Sequence, residues 1–279
     1  MTRLLSADQM RLRKAWLFWI MLAAAALLTV PPFREALSEA GRIGDPSEGW
    51  AIDAALFQAT MVHGVSLAAF IPLFLGADYH DGTIRNKLIA GHSRSSVYFS
   101  ALGVCAITVL SLTAASAAGY ALQAVAAHGI IGTDTPHFVL CVFSSVCCAM
   151  AFGSLYVVLS MLIDNRAYAI LACIGVLFAM VFVTGRLEHA LLQAEIARDV
   201  VDFVDGRPVW SEPYPNPAYV GGLKRAAYEW IIDFLPTGQG TLLSNMEADR
   251  VSRFPMLSAL FIVLTSSIGL LGFRSKDIK

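Results

Sequence analysis

Apolar runs separated by shorter polar segments set the pattern of this chain. Six runs approach the length of a bilayer crossing, and each indicates a membrane-spanning helix. The predicted spans have approximate bounds of 15–30, 51–75, 97–127, 137–163, 167–185 and 256–273. The sequence therefore predicts an all-α polytopic membrane protein in which residues 1–279 form a single transmembrane domain.

Three of the connections between the predicted spans are short. Pro31-Pro32 is expected to end span one, because proline cannot continue a helix without losing a backbone donor. Residues 31–50 would then form an outer loop. Residues 128–136 are predicted to form a tight outer turn, and Asp164–Arg166 an inner turn.

Residues 186–255 form the longest hydrophilic region, and we expect it to be an outer loop that contains amphipathic helices. Acidic and apolar positions alternate at helical spacing over residues 188–203, which predicts one amphipathic helix there. The acidic and apolar positions are Glu188, Glu195, Asp199, Asp202, Leu192, Ile196, Val200 and Phe203. A second helix is predicted over Leu223–Leu235.

The polar segment Gly76–Ser100 separates spans two and three. Ile84, Leu88 and Ile89 recur at helical spacing within it, which predicts a short helix with one apolar and one charged side. A basic loop between two spans belongs on the cytoplasmic side. Its cations are either a simple orientation signal or a docking surface for a soluble partner.

Basic residues are distributed unevenly among the connections. The segments assigned to the cytoplasm contain Arg3, Arg11, Arg13, Lys14, Arg85, Lys87, Arg94, Arg166, Arg274, Lys276 and Lys279. The two short outer loops contain only Arg34 and Arg42. This bias predicts that both termini are cytoplasmic. Residues 1–14 are either a basic anchor or an interfacial helix.

Composition agrees with a membrane protein. The chain is 57% hydrophobic and 15% charged, whereas soluble domains contain about 25% charged residues. The net charge of −1 gives no indication of nucleic-acid binding. All the cysteines fall within apolar runs and are expected to be packing residues rather than metal ligands or disulfides. They are Cys105, Cys141, Cys147, Cys148 and Cys173.

The sequence lacks the motifs of several catalytic classes. It contains no GxxxxGK[ST], HExxH or GxSxG pattern, so we predict no catalytic residue, metal site or cofactor in this chain. Carboxylates are scarce within the spans, which disfavours ion-coupled transport and favours an external energy source. Gln58 and His63 are the polar candidates for a translocation path, although both could instead form interhelical hydrogen bonds.

The central loop also resembles a known family. Asp78-Tyr79, the sequence GTIRNKLI at 82–89, a glycine and Ser93-Arg94 are similar to bacterial ABC-2-type transporter permeases. The similarity is dense over about 20 residues and elsewhere depends on the order and length of the spans. The family commonly has glutamate before the tyrosine, and Asp78 keeps that charge with a shorter reach.

The resemblance implies that this loop is a coupling helix that docks on a separate ABC ATPase subunit. The docking residues would be Asp78, Tyr79, Asp81, Gly82, Thr83, Ile84, Arg85, Asn86, Lys87, Leu88 and Arg94. ATP and Mg²⁺ would bind the ATPase partner, and a second permease, identical or related, would complete the transporter. The resemblance further implies a bacterial plasma membrane location and an export function.

Two other functions are compatible with the pattern. One is an integral membrane scaffold that binds a cytoplasmic partner without transport. The other, less favoured, is an intramembrane enzyme, which would need paired catalytic groups at membrane depth.

Overall fold

The computed structural model describes residues 2–43, 49–126, 134–198, 200–204, 207–245 and 248–276. Within these ranges the chain is helical apart from short connections and two small strand pairs. The helices are α1 Thr2–Lys14, α2 Trp16–Leu27, α3 Val30–Ile43, α4 Gly49–His80, α5 Thr83–Ile89, α6 Arg94–Ala126, α7 Thr135–Leu162, α8 Arg166–Leu191, α9 Gly222–Phe234, α10 Pro236–Ser244, α11 Ala248–Val251 and α12 Phe254–Ser275.

Six helical segments of the described ranges are long and apolar enough to cross a membrane, which confirms the predicted polytopic fold. Their bounds are Trp16–Glu35, Asp53–Tyr79, Arg94–Ala126, Thr135–Leu162, Arg166–Leu191 and Phe254–Ser275. Helix α7 lies at the centre and packs against α12, α4 and α6, and α4 packs in turn against α8. The core is therefore formed mainly by the second and fourth spans.

The double proline does not end regular structure as predicted. Helix α2 ends at Leu27, and α3 begins at Val30, so that Pro31 and Pro32 occupy its first turn. The first turn of a helix tolerates proline because its N–H groups have no intrahelical acceptor. The segment expected to be an outer loop from residue 31 is therefore helical as far as Ile43.

The second span also extends further than predicted. Helix α4 continues through Gly76 to His80, so the polar segment begins within a helix and the chain turns only at Asp81-Gly82. The predicted short amphipathic helix is confirmed as α5. Ile84 is buried as expected, but Ile89 is 74% exposed rather than part of the apolar side.

The amphipathic helix predicted over residues 188–203 is wrong. Helix α8 extends to Leu191, and the chain then forms the strands β1 Ile196–Ala197, β2 Val200–Val204, β3 Arg207–Trp210 and β4 Tyr214–Pro215. The strands pair antiparallel as β1 with β4 and β2 with β3. The β-branched residues of β2 favour a strand, and Asp205-Gly206 is a strong hairpin signal in the sequence.

The rest of this region is helical. The second predicted amphipathic helix is confirmed as α9, whereas the buried helix α10 was not predicted. Helix α10 packs against α4, α7 and α8 near the end of the bundle where α8 ends. Most of the predicted outer turn at 128–136 lies outside the described residues, and α7 begins at Thr135.

Candidate functional site

Helix α5 is bounded by two glycines with left-handed backbone conformations. Gly82 precedes the helix with φ of 65°, and Gly91 follows it with φ of 88°. Glycine adopts such angles without the steric penalty of other residues. The two glycines therefore turn the chain sharply from α4 into α5 and from α5 towards α6.

A cluster of charged side chains joins α5 to three neighbouring helices. The Lys87 ammonium donates to Asp8 Oδ1 of α1 at 2.8 Å and to Asp78 Oδ2 of α4 at 3.2 Å. Arg11 Nη2 donates to the same Asp78 oxygen at 3.1 Å. Ser100 of α6 donates its hydroxyl to Asp8 Oδ2 at 2.8 Å. We call these five residues the charge cluster.

The charge cluster is balanced and largely removed from solvent. Its two carboxylates, Asp8 and Asp78, are 6% and 3% exposed, and two cations face them. Burial lowers the pKa of Arg11, and the nearby charges of Asp8 and Asp81 oppose that shift. The Arg11 guanidinium also lies 4.0 Å from the ring centre of Phe74, a cation–π contact.

Tyr79 anchors the same end of α4 to the last turn of α7 and to Lys276, which directly follows α12. Its hydroxyl donates to the carbonyl oxygen of Met161. Lys276 Nζ lies 3.2 Å from the Tyr79 hydroxyl and 3.0 Å from the Met161 carbonyl oxygen. The same ammonium forms an ion pair with Asp164 at 2.5 Å.

Arg94, at the start of α6, binds the C-terminal end of α12. Its guanidinium donates to the carbonyl oxygens of Phe273 at 3.2 Å and Arg274 at 2.8 Å, and also to that of Lys276. Arg274 in turn donates to Ser95 Oγ at 2.8 Å. The last carbonyls of a helix lack intrahelical donors, and a cation near them opposes the helix dipole.

The predicted docking residues thus separate into two groups. Asp78, Tyr79, Lys87 and Arg94 are engaged in the contacts described above, and Ile84 and Leu88 pack against the core. The exposed group consists of Asp81, Arg85 and Asn86, with Gly82 and Thr83 half-buried. Asp78 makes direct ion pairs despite the short reach of its side chain.

Several members of the site were not predicted from the sequence. Asp8 and Ser100 complete the charge cluster, and Lys276 completes the contacts around Tyr79. Asp8 carries the clearest sequence signal, because it is the only acidic residue in the basic segment 1–14. A single carboxylate in a basic helix suggests a cation elsewhere as its partner, although the sequence does not identify that cation.

The two candidates for a translocation path have different environments. Gln58 is exposed on α4, whereas His63 is 2% exposed and its Nε2 lies 2.9 Å from Ser116 Oγ of α6. Ser116 also donates to the Ala25 carbonyl oxygen at 3.3 Å. His63 therefore helps to connect α4, α6 and α2 through hydrogen bonds.

A small cavity of about 20 Å³ lies beside His63. His63 Nδ1 and Thr113 Oγ1 have no hydrogen-bond partner among the described residues. A cavity of this size can hold about one water molecule, and it is far too small for a transported solute.

The described residues include no group of three or more His, Cys, Asp or Glu side chains that could hold a metal ion. Comparison with known proteins adds no family assignment. The sequence matches no protein-family model and no curated protein.

Proposed function

We propose that this chain is the membrane-spanning permease subunit of an ABC exporter in a bacterial plasma membrane, and that α5 couples it to a separate ATPase subunit. The observation that carries the proposal is the two-sided environment of α5. Lys87 and Ile84 fix one side to the bundle, while Arg85, Asn86 and Ile89 leave the other side exposed. An orientation signal alone would need only exposed cations, without a buried ionic attachment.

The charge cluster offers a route for mechanical coupling. Because Lys87 contacts both Asp8 and Asp78, a displacement of α5 acts directly on the middle of α1 and the end of α4. Ser100 extends the connection to α6. Closure of two ATPase subunits on ATP would push the exposed side of α5, and the helix would transmit that push to the spans.

Two features support a second permease as a partner. The cavity beside His63 is too small for a solute, so we infer that His63 does not line a path within this chain and that the path lies between two permeases. Gln58 is exposed on a membrane-spanning helix, where a polar side chain facing lipid is unfavourable. A second permease against this face of α4 would remove Gln58 from lipid.

Co-purification with the associated ATPase from native membranes tests the proposal. Arg85→Glu reverses the charge of an exposed side chain, so we expect it to abolish co-purification and ATP hydrolysis by the complex while leaving the melting temperature unchanged. Gly82→Pro should have the same functional effect, because proline cannot adopt the positive φ of this residue.

Arg198→Glu provides a matched control, because Arg198 is also exposed but follows α8 at the opposite end of the bundle. It should leave the complex intact and active. Full ATPase activity of a complex that carries both Arg85→Glu and Gly82→Pro would contradict coupling through α5. A stable cytoplasmic partner without ATPase activity would favour the scaffold function instead.

A further inference from the structure

A cavity of about 610 Å³ opens at the end of the bundle that contains α5. It lies between the junction of α1 and α2, the second half of α4 and the start of α8. Arg11, Lys14 and Arg166 contribute cationic groups to its wall. The remaining wall is apolar and includes Trp16, Phe70 and Leu73. The cavity therefore combines a cationic part with an apolar part.

The cavity extends from the expected membrane surface into the apolar region. Along α4 its wall runs from Ala77 to Phe70, which is seven residues or about 10 Å at 1.5 Å per residue. Trp16 is 72% exposed beside it, and the nearby Trp19 indole donates to the Arg13 carbonyl oxygen at 2.8 Å. Exposed tryptophans are typical of the membrane–water interface. The cations thus lie at headgroup depth and the aromatic wall at acyl-chain depth.

Two of the three cations have no anionic partner in the described part of the chain. Arg11 is already paired with Asp78 in the charge cluster. Lys14 and Arg166 are exposed and form no ion pair there. The nearest acidic residue in sequence to Arg166 is Asp164, which pairs with Lys276.

Local structure holds Arg166 at the cavity. The Arg166 side chain runs against α4 where Gly76 leaves space, since a Cβ atom at Gly76 would lie 2.9 Å from Arg166 Cγ. Arg166 is also the first residue of α8, where the helix dipole adds positive potential. An anion at this position would interact favourably with the guanidinium and the Lys14 ammonium, whereas the Asn165 side chain already binds amides of the first turn of α8.

We propose that this cavity binds an anionic phospholipid. Its phosphate would lie between Lys14 and Arg166, and one acyl chain would follow Phe70 and Leu73 along α4. One guanidinium group can bind two phosphate oxygens at once. Basic pockets between membrane helices bind acidic lipid headgroups. A zwitterionic headgroup would be less favourable, because its own cation would lie near Lys14 and Arg166. The proposal does not depend on the transport function, because it requires only that this end lies at a membrane surface.

Lipid retention by the full-length chain tests the proposal. The protein is purified in detergent that contains equal amounts of phosphatidylglycerol and phosphatidylcholine, and bound lipid is measured by native mass spectrometry. We expect preferential retention of phosphatidylglycerol. The double variant Lys14→Gln/Arg166→Gln should reduce that retention by about tenfold or more, whereas Arg13→Gln should not change it, because Arg13 is exposed on α1 but lies outside the cavity wall.

A second variant examines the apolar part of the cavity. Leu73→Trp would fill the acyl-chain region while leaving both cations in place, and should also lower phosphatidylglycerol retention. Melting temperatures show whether each variant is folded. Equal retention of the two lipids, or full retention by the double variant, would overturn the proposal. The proposal would also be overturned if soluble glycerol phosphate raised the melting temperature as much as phosphatidylglycerol does. The site would then recognise a phosphate group without its lipid.

Discussion

Lys87 and Arg85 lie two positions apart on α5 but have opposite environments. The Lys87 side chain is 12% exposed and bridges two carboxylates from different helices, whereas Arg85 is exposed. A two-residue step rotates the side-chain direction by about 200° around a helix. Two cations that look equivalent in the sequence therefore have different roles, one in fixing the helix and one in forming its outer surface.

We predict that Lys87→Met destabilises the protein by about 3 kcal/mol, because removing one partner of a buried ion pair leaves an uncompensated charge. This value is near the lower end of the range for broken buried ion pairs, because Arg11 still faces Asp78 and Ser100 still donates to Asp8. Denaturant unfolding in detergent micelles measures the change.

Arg85→Met is the control for this prediction and should leave stability nearly unchanged. Adding Asp8→Asn to Lys87→Met should recover part of the loss, because it removes the unpaired charge of Asp8. Equal destabilisation by Lys87→Met and Arg85→Met would contradict the structural role assigned to Lys87.

A second buried ion pair stabilises the long loop at the opposite end. Arg250 donates to Asp233 Oδ1 from Nε at 3.1 Å and from Nη2 at 2.5 Å. Burial raises the pKa of Asp233, and Arg250 opposes that shift. Glu229 and Arg253 also act on this carboxyl group, in opposite directions.

We predict that Arg250→Gln lowers stability in a pH-dependent manner. Loss of the guanidinium should raise the pKa of Asp233 further in the folded state, so folding favours the protonated carboxyl group. The stability deficit should then be largest near pH 7 and should shrink as the pH falls towards the unfolded pKa of about 4. Melting temperatures of variant and native protein at pH 7.5 and 5.0 measure the change.

The double variant Asp233→Asn/Arg250→Gln separates this effect from other titrations. It lacks the carboxyl group, so lowering the pH should not restore its stability, and its deficit relative to the native protein should not shrink between pH 7.5 and 5.0. A deficit of Arg250→Gln that stays constant between pH 7.5 and 5.0 would contradict the prediction.

At the scale of elements, α10 depends on glycines for its close packing. A Cβ atom at Gly238 would overlap the carbonyl oxygen of Ile232, which is backbone, whereas one at Gly240 would lie 2.6 Å from Met61 Sδ. A methionine side chain can move aside more easily than a carbonyl group. Hydrogen bonds between Thr237 and Thr184 at 2.6 Å and between Ser258 and Gln239 at 2.6 Å fix the helix in its buried position.

We therefore predict that Gly238→Ala destabilises the protein severely and Gly240→Ala more mildly. Gly175→Ala is a matched control, because a Cβ atom at Gly175 meets nothing within 4 Å and alanine favours a helix over glycine. Thermal unfolding and the yield of monodisperse protein compare the three variants. Similar melting temperatures for Gly238→Ala and Gly175→Ala would show that α10 is not packed in this way.

The spans and α5 could be predicted from the sequence because each has a strong local pattern. Long apolar runs and the spacing of Ile84 and Leu88 require no knowledge of distant contacts. The strand β2 was missed because its apolar residues fit a helical period as well as an extended one. Helix α10 was missed because the sequence PTGQGTLLS has little apolar character, and its burial depends on polar contacts with α8, α9 and α12.

The candidate site was only partly predictable for a related reason. Its central segment lies within one local motif, but its partners are distant in sequence: Asp8 is 79 positions from Lys87, and Lys276 is 197 positions from Tyr79. Charge identifies such residues as candidates, whereas only the packing of helices determines which carboxylate meets which cation.

At the scale of the whole molecule, distant parts of the chain meet at one end of the bundle. Lys87 joins α1 to α5, and Arg94 joins the start of α6 to the end of α12. The N-terminal helix, α5 and the end of the last span therefore lie on the same side of the membrane. The distribution of basic residues predicts that this side is cytoplasmic.

Cysteine labelling tests this orientation with Ser93→Cys near α5 and Glu195→Cys beyond α8, both at exposed positions. The native cysteines are buried or half-buried and provide a low background. We predict that a membrane-impermeant maleimide labels Glu195→Cys in intact cells but labels Ser93→Cys only after permeabilisation. The opposite result would place α5 outside the cell, where a cytoplasmic ATPase could not reach it. The lipid site would then face the outer leaflet, so this one measurement determines both the access of an ATPase to α5 and the leaflet that supplies the lipid.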